Sequence, residues 1–215
     1  MKNYWDSEIE KFDKIYDGEK TAVDRFVDRF REDVIKERAE VFYAMAQSLE
    51  QGAVLVDIGC GTGRQAMHLA AMGYKVRAFD ISQRAIEMAK HRLEGHDLDI
   101  TYEVADVAQI EYPDCDCVFG LGLMDYLTDS QVNAILSQVK KLDCKFAFSL
   151  PFRCLKSYVR SIYRAISGTK IYLRTQDDVS RLSNDAHIDN IQFVTEGLGA
   201  CLLVHNFDRQ SAGRQ

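Results

Sequence analysis

Val54-Leu55-Val56-Asp57-Ile58-Gly59-Cys60-Gly61-Thr62-Gly63 runs an apolar strand into three glycines at alternate positions. Glycine lets the backbone turn sharply and approach a ligand closely, because no Cβ intervenes. A second apolar run, Lys75–Asp80, ends in an acid 17 residues beyond Gly63. Ligands of parallel α/β sheets bind at strand carboxyl ends, so Asp80 stands where the ribose hydroxyls of a nucleoside would lie.

Outward from this stretch the pattern alternates strand with helix. Strands are expected at Val54–Ile58, Lys75–Asp80, Ile100–Ala105, Cys117–Leu121, Phe146–Leu150, Gln192–Thr195 and Cys201–Phe207. Helices are expected at Arg64–Met72, Gln83–Leu93 and Asp129–Lys140, the last opened by a capping box of Thr128 and Gln131. Such alternation predicts a parallel sheet flanked by helices. The last two strands are joined only by Glu196–Ala200, too short for a parallel crossover, so they must pair antiparallel. The expected fold is therefore α/β: a Rossmann-like, seven-stranded, mostly parallel sheet with helices on both faces and a closing antiparallel hairpin. Ahead of it, Val23, Phe26, Val27, Phe30 and Val34 recur at helical spacing. A further helix is expected through Val41, Phe42, Met45, Ala46 and Leu49. The chain divides into a helical cap (1–50), a nucleoside-binding core (51–150), a basic helical insertion (151–175) and the end of the core (176–215).

Composition narrows the class. A chain of 215 residues suits one domain with a sizeable core or one domain with a cap. The net charge of −6 disfavours a general nucleic-acid binder. No apolar run approaches bilayer length and no charged-then-apolar leader opens the chain, so a cytoplasmic location is expected. The six cysteines lack CxxC pairs, which argues for reduced thiols rather than a metal site or a disulfide framework. Cys115 and Cys117 alternate along a strand and are expected to share a face.

The glycine spacing separates two nucleotide chemistries. A dinucleotide fold carries G-x-G-x-x-G, but Arg64 stands where the third glycine would be, and no Gly-Lys-Ser/Thr completes a P-loop. An NAD(P)-dependent oxidoreductase is thereby the weaker reading, and a plain tight turn the bland one. The motif instead resembles that of the class I S-adenosylmethionine-dependent methyltransferases, over roughly residues 52–207 and most closely over 54–106.

That resemblance implies S-adenosylmethionine as cofactor and assigns roles at matching positions. Asp57 would orient the methionine amino group, and Gly59, Cys60, Gly61 and Gly63 would form the loop against the cofactor. Asp80 would accept from both ribose hydroxyls, with Ile81 beside the adenine. Asp106 would stand near the adenine amine and Val107 would offer an amide. Leu121 would present backbone near the methionine amino end, and Arg38 could reach the carboxylate. No metal is implied. A non-catalytic S-adenosylmethionine-binding regulator is the competitor from another class.

Methyl transfer from a sulfonium is an in-line displacement, so positioning supplies much of the acceleration and no catalytic triad is required. On the acceptor side, Asp125 and Tyr126 follow strand four in Met124-Asp125-Tyr126-Leu127. Either serves as general base or orients the acceptor; the bland alternative is a turn cap and a packed ring. In the insertion, Arg153, Lys156, Arg160 and Arg164 fall on one helical side, opposite Leu155, Val159, Ile162 and Ile166. A solvated outer face is the bland reading; an anionic acceptor or a peripheral membrane contact are the sharper ones. Looser similarity to bacterial small-molecule methyltransferases, including those acting on magnesium protoporphyrin, lies in Phe12-Asp13-Lys14-Ile15-Tyr16 and Ser149-Leu150-Pro151-Phe152-Arg153. It implies a lid over a small-molecule acceptor, formed by the N-terminal helices and the insertion, with Tyr16 at its inner face. On the sharper reading of the basic segment, Arg153, Tyr158 and Arg160 are the expected contacts. A sugar, polyketide or quinone-type acceptor fits the residues as well. No Asn-Pro-Pro-Tyr run follows strand four, where Gly122-Leu123-Met124-Asp125 stands, so no nucleic-acid acceptor is expected.

Overall fold

The computed structural model describes residues 4–9, 13, 35–151, 170–195 and 201–208. Chain order is β1 (Val54–Ile58), α1 (Arg64–Ala71), β2 (Lys75–Asp80), α2 (Gln83–Leu93), β3 (Ile100–Val104) and β4 (Cys117–Leu121). A 3-10 turn (Met124–Tyr126), α3 (Asp129–Leu142), β5 (Lys145–Pro151), α4 (Gln176–Asp185), β6 (Gln192–Val194) and β7 (Cys201–His205) follow. Residues 4–9 and 35–46 are also helical.

Seven strands form one sheet in the order β3-β2-β1-β4-β5-β7-β6. The first five run parallel, and β7 pairs antiparallel with both β5 and β6. From β1 the chain winds outward through β2 and β3, then returns to lay β4 on the other side of β1. That reversal opens a crevice at the carboxyl ends of β1 and β4, the place where open α/β sheets bind ligands.

Strand alternation distributes the core over two layers. Leu55, Val76, Ala78, Phe119 and Leu203 pack with Leu69 of α1, Ile86 of α2, and Phe42 and Met45 of the 35–46 helix. Val56, Ile58, Val118, Phe146, Phe148 and Val204 pack with Val132, Ile135 and Val139 of α3 and Leu182 of α4. The capping box at Thr128 is formed, with the Gln131 amide donating to Thr128 Oγ1 at 3.3 Å.

Every expected strand and core helix is present, four with the expected bounds and the rest with ends moved by one or two residues. Three corrections follow. Helix α4 was not expected from the spacing, although Thr175 and Asp178 announce it with a capping box of their own. Leu49 lies beyond the end of its helix at residue 46. Cys115 and Cys117 do not share a face: Cys117 is on β4 in one layer, whereas Cys115 precedes the strand and packs against the other. The expected helix over Val23–Val34 lies outside the described residues, as does the helical insertion except for residues 151 and 170–175. Among the described residues no helix is long and apolar enough to cross a membrane.

Candidate functional site

The crevice between β1 and β4 opens into a cavity of about 450 Å³. Its floor is the glycine turn. Gly59 and Cys60 donate their amides to Phe79 O at 2.8 and 3.1 Å, which folds the loop back onto β2. Gly59 has φ +72°, and a Cβ there would stand 3.0 Å from the Leu123 side chain across the crevice. The turn from β1 and the turn from β4 therefore approach closely only because position 59 is bare. Gly63 differs. It is the N-cap of α1 at φ +78°, and a Cβ would fall 2.8 Å from Cζ of Tyr102. It serves the packing of α1 on β3 and does not line the cavity, whereas Gly59, Cys60 and Gly61 do.

Asp80 sits at the cavity rim. Gly61 N–H donates to its Oδ2 and Ser82 N–H to its Oδ1, both at 2.9 Å. A carboxylate offers about four lone pairs, so each oxygen keeps one for a further donor. Two fixed oxygens, each with acceptor capacity left, match a pair of vicinal hydroxyls. Burial pushes the Asp80 carboxyl upward, opposed by the Ser82, Gly61 and Ile81 amides. Ile81, Asp106 and Val107 line the adjoining wall. The Asp106 carboxylate is held by Ala108 N–H at 3.1 Å and by the Gln109 amide at 3.0 Å.

Deeper, Asp57 on β1 is 2% exposed, and its Oδ2 has no hydrogen-bond donor among the described residues. Burial raises its pKa well above the usual carboxylate value, and the Asp80 charge adds to the effect. An orphaned buried carboxylate oxygen is costly. Such an oxygen beneath the cavity suits a cationic or N–H-bearing group. Arg38, reaching in from the 35–46 helix, is 9% exposed, lines the cavity and donates from Nη2 to Leu121 O at 3.1 Å. Its Nε has no partner among the described residues. The same cavity thus meets carboxylate oxygens at one place and a guanidinium at another, as an amino-acid tail on a nucleoside requires. The residues present fit S-adenosylmethionine.

The far end is apolar and aromatic: Trp5, Ile9, Leu123, Tyr126 and Leu127, with Gln131. The rings of Trp5 and Tyr126 meet edge to face at 4.9 Å. Asp125 is 2% exposed and does not line the cavity; Tyr126, its neighbour in the 3-10 turn, does.

The N-terminal residues are pinned to the glycine side by two carboxylates. Asp6 accepts from Ser82 Oγ at 2.6 Å. Asp13 accepts from Thr62 Oγ1 at 2.5 Å, Arg64 Nε at 3.0 Å and Arg92 Nη2 at 2.9 Å. Burial would raise the Asp13 pKa, but the hydrogen bonds from Arg64 and Thr62 and the charge of Arg92 outweigh it and hold it below the usual value.

Of the expected cofactor residues, Arg38, Gly59, Cys60, Gly61, Asp80, Ile81, Asp106, Val107 and Leu121 line this one cavity. Asp57 lies beneath it and Gly63 behind it. Tyr16, Arg153, Tyr158 and Arg160 lie outside the described residues. Sequence reasoning missed Trp5 and Ile9 as wall residues, Asp13 as an anchor, and Arg174, which is 3% exposed and grips the 3-10 turn. The Thr175–Asp178 capping box directly after Arg174 was the available signal for an ordered segment there.

Comparison with known proteins agrees with this geometry. Residues 55–142 match a family described as a methyltransferase domain. The 27-O-demethylrifamycin SV methyltransferase of Amycolatopsis mediterranei is 35% identical over 86 residues, 38% of this chain and 32% of that protein. The magnesium-protoporphyrin O-methyltransferase of Rhodobacter capsulatus is 29% identical over 128 residues, 56% of each chain. The match thus spans between about a third and somewhat over half of these relatives. A solved structure, the magnesium protoporphyrin IX methyltransferase of Synechocystis PCC 6803 with bound SAH, superposes with a TM-score of 0.75 at 20% identity, covering 95% of this chain and 96% of that one. At that identity the likeness concerns the fold.

Proposed function

We propose that this chain, a class I S-adenosylmethionine-dependent methyltransferase by domain and fold, moves a methyl group to an oxygen of a small-molecule acceptor. The observation that carries the reading is Asp80, its two oxygens fixed by Gly61 and Ser82 amides at the rim of the glycine-floored cavity. Bound there, S-adenosylmethionine supplies a methyl carbon already activated by its sulfonium leaving group. The protein's part is to bind and orient. Asp80 takes the ribose hydroxyls; Ile81, Asp106 and Val107 flank the base. Asp57 faces the amino group, and Arg38 takes the carboxylate while tying down Leu121. The apolar far end excludes water from the reacting atoms, and Tyr126 orients the acceptor oxygen. Asp125, buried within the 3-10 turn beside Tyr126, supports it. Basic residues Arg153 and Arg160 of the insertion neutralise an anionic acceptor. Oxygen is favoured by relatives whose names specify O-methylation.

The test is incubation of the purified protein with isotopically labelled methyl donor and a metabolite extract. Label in a small molecule together with S-adenosylhomocysteine supports the reading. Binding of donor with no labelled product from any extract supports the regulator instead, and a fluorescence titration that shows tight NADH binding supports the oxidoreductase.

A further inference from the structure

The acceptor end of the cavity is held by a residue that does not touch the cavity. The 3-10 turn Met124–Tyr126 is three residues long, too short to satisfy its own carbonyls. Buried carbonyls need donors. They come from the chain segment that leads into α4. Arg174 Nη1 donates to Met124 O at 2.9 Å and Nη2 to Leu127 O at 2.7 Å, so one guanidinium brackets both ends of the turn. Tyr172 N–H donates to Asp125 O between them at 2.7 Å. The guanidinium is itself fixed from outside: Nε and Nη2 both donate to Asp129 Oδ1, at 3.1 and 2.9 Å. Asp129 is the first residue of α3, and Arg181 of α4 reaches its other oxygen at 3.4 Å. All three guanidinium nitrogens are thus engaged, and the residue is 3% exposed.

We propose that Arg174 is a positioning residue that locks the Met124–Tyr126 turn so that Tyr126 meets Trp5 and forms the acceptor wall. A lysine cannot do this, because its donors radiate from one point and cannot span two carbonyls and a carboxylate. The nucleoside end is built from the turns after β1 and β2, the segment after β3, Leu121 at the end of β4 and Arg38 of the 35–46 helix; Arg174 bonds none of these, so the lock acts first on the acceptor side. The role of the wall in acceptor binding rests on the proposed function; the lock itself does not.

Trp5 is the chain's single tryptophan, and its ring contact with Tyr126 makes its fluorescence a native reporter of the wall. The experiment measures acrylamide quenching and emission maximum of Trp5 in the wild type and in Arg174→Lys, Tyr126→Ala and their double variant. S-adenosylhomocysteine affinity is measured by calorimetry on the same samples. Arg174→Lys is expected to shift emission to longer wavelength and increase quenching, with no further change in the double variant. Its S-adenosylhomocysteine affinity should change less than about threefold, because Arg174 bonds none of the residues at the nucleoside end. Should Arg174→Lys fold poorly, Asp129→Asn, which removes the carboxylate charge and keeps both carbonyl contacts, should shift Trp5 the same way by less. Unchanged Trp5 emission and quenching in a folded variant overturns the proposal. So does loss of S-adenosylhomocysteine affinity in parallel with the Trp5 shift, which would mean a general structural role. If the wild type binds no S-adenosylhomocysteine, the proposed function fails, while the Trp5 comparison still decides the role of Arg174.

Discussion

Gly63→Ala separates the packing duty of the third glycine from any duty in ligand binding. Its φ of +78° lies in the left-handed region, where a side chain costs about 1–2 kcal/mol. The new Cβ would also stand 2.8 Å from Tyr102 Cζ and 2.9 Å from Cε1, with the hydroxyl oxygen nearer still. Tyr102 is 4% exposed and can shift little, so overpacking adds about 1–3 kcal/mol. The sum, roughly 2–5 kcal/mol, is a large part of the 5–15 kcal/mol typical of a folded domain. For a chain of this length it corresponds to a fall in melting temperature of about 4–20 °C. Urea unfolding should show it as a lower midpoint. Placing Gly63→Ala in a Tyr102→Phe background removes the nearest atom, so the added destabilisation there should be smaller by about 1 kcal/mol, the signature of coupled neighbours. A Gly63→Ala effect below about 0.5 kcal/mol, equal in both backgrounds, would refute the steric reasoning.

Asp13 has a depressed pKa, so its ionised form stabilises the fold. That contribution is present above the unfolded value near 3.9 and is lost as pH falls through the lower folded value. The wild type should therefore lose its stability advantage over Asp13→Asn on acidification, and a gap that stays constant from pH 7 to pH 3 contradicts the ion-pair account. Arg38→Met removes the cavity-lining guanidinium proposed to hold the methionine carboxylate, a charged hydrogen bond of about 1.5–3 kcal/mol. S-adenosylhomocysteine affinity should fall roughly tenfold or more by calorimetry. Replacing Arg153 and Arg160 together with alanine should raise the apparent KM for an anionic acceptor and spare donor binding; level values for both would make the insertion ordinary surface.

The nucleoside half of the site was legible because its chemistry is local. An apolar strand, alternate glycines and an acid at the next strand's end occupy 27 consecutive residues, 54–80, and each constrains the backbone directly. The closing hairpin was legible for the same reason, since a five-residue link allows only one pairing. The acceptor half is assembled over long sequence separations. Trp5 reaches Tyr126 and Arg174 reaches Met124, and no periodicity announces such partners. A buried arginine whose donors are spent on backbone carbonyls reads in sequence as an ordinary surface charge. Cys115 misled for a related reason: alternation predicts a shared face only inside a strand, and Cys115 falls two residues before β4 begins.

Calorimetric titration of S-adenosylhomocysteine into the wild type and Asp80→Ala tests the cofactor assignment most directly. Two hydroxyl bonds to an ionised carboxylate, at about 1.5–3 kcal/mol each, predict a loss of roughly a hundredfold or more. Saturable binding to the wild type, weakened by that factor in a folded variant, is the predicted result. Equal affinity in both proteins, or no binding heat in the wild type, would contradict the account.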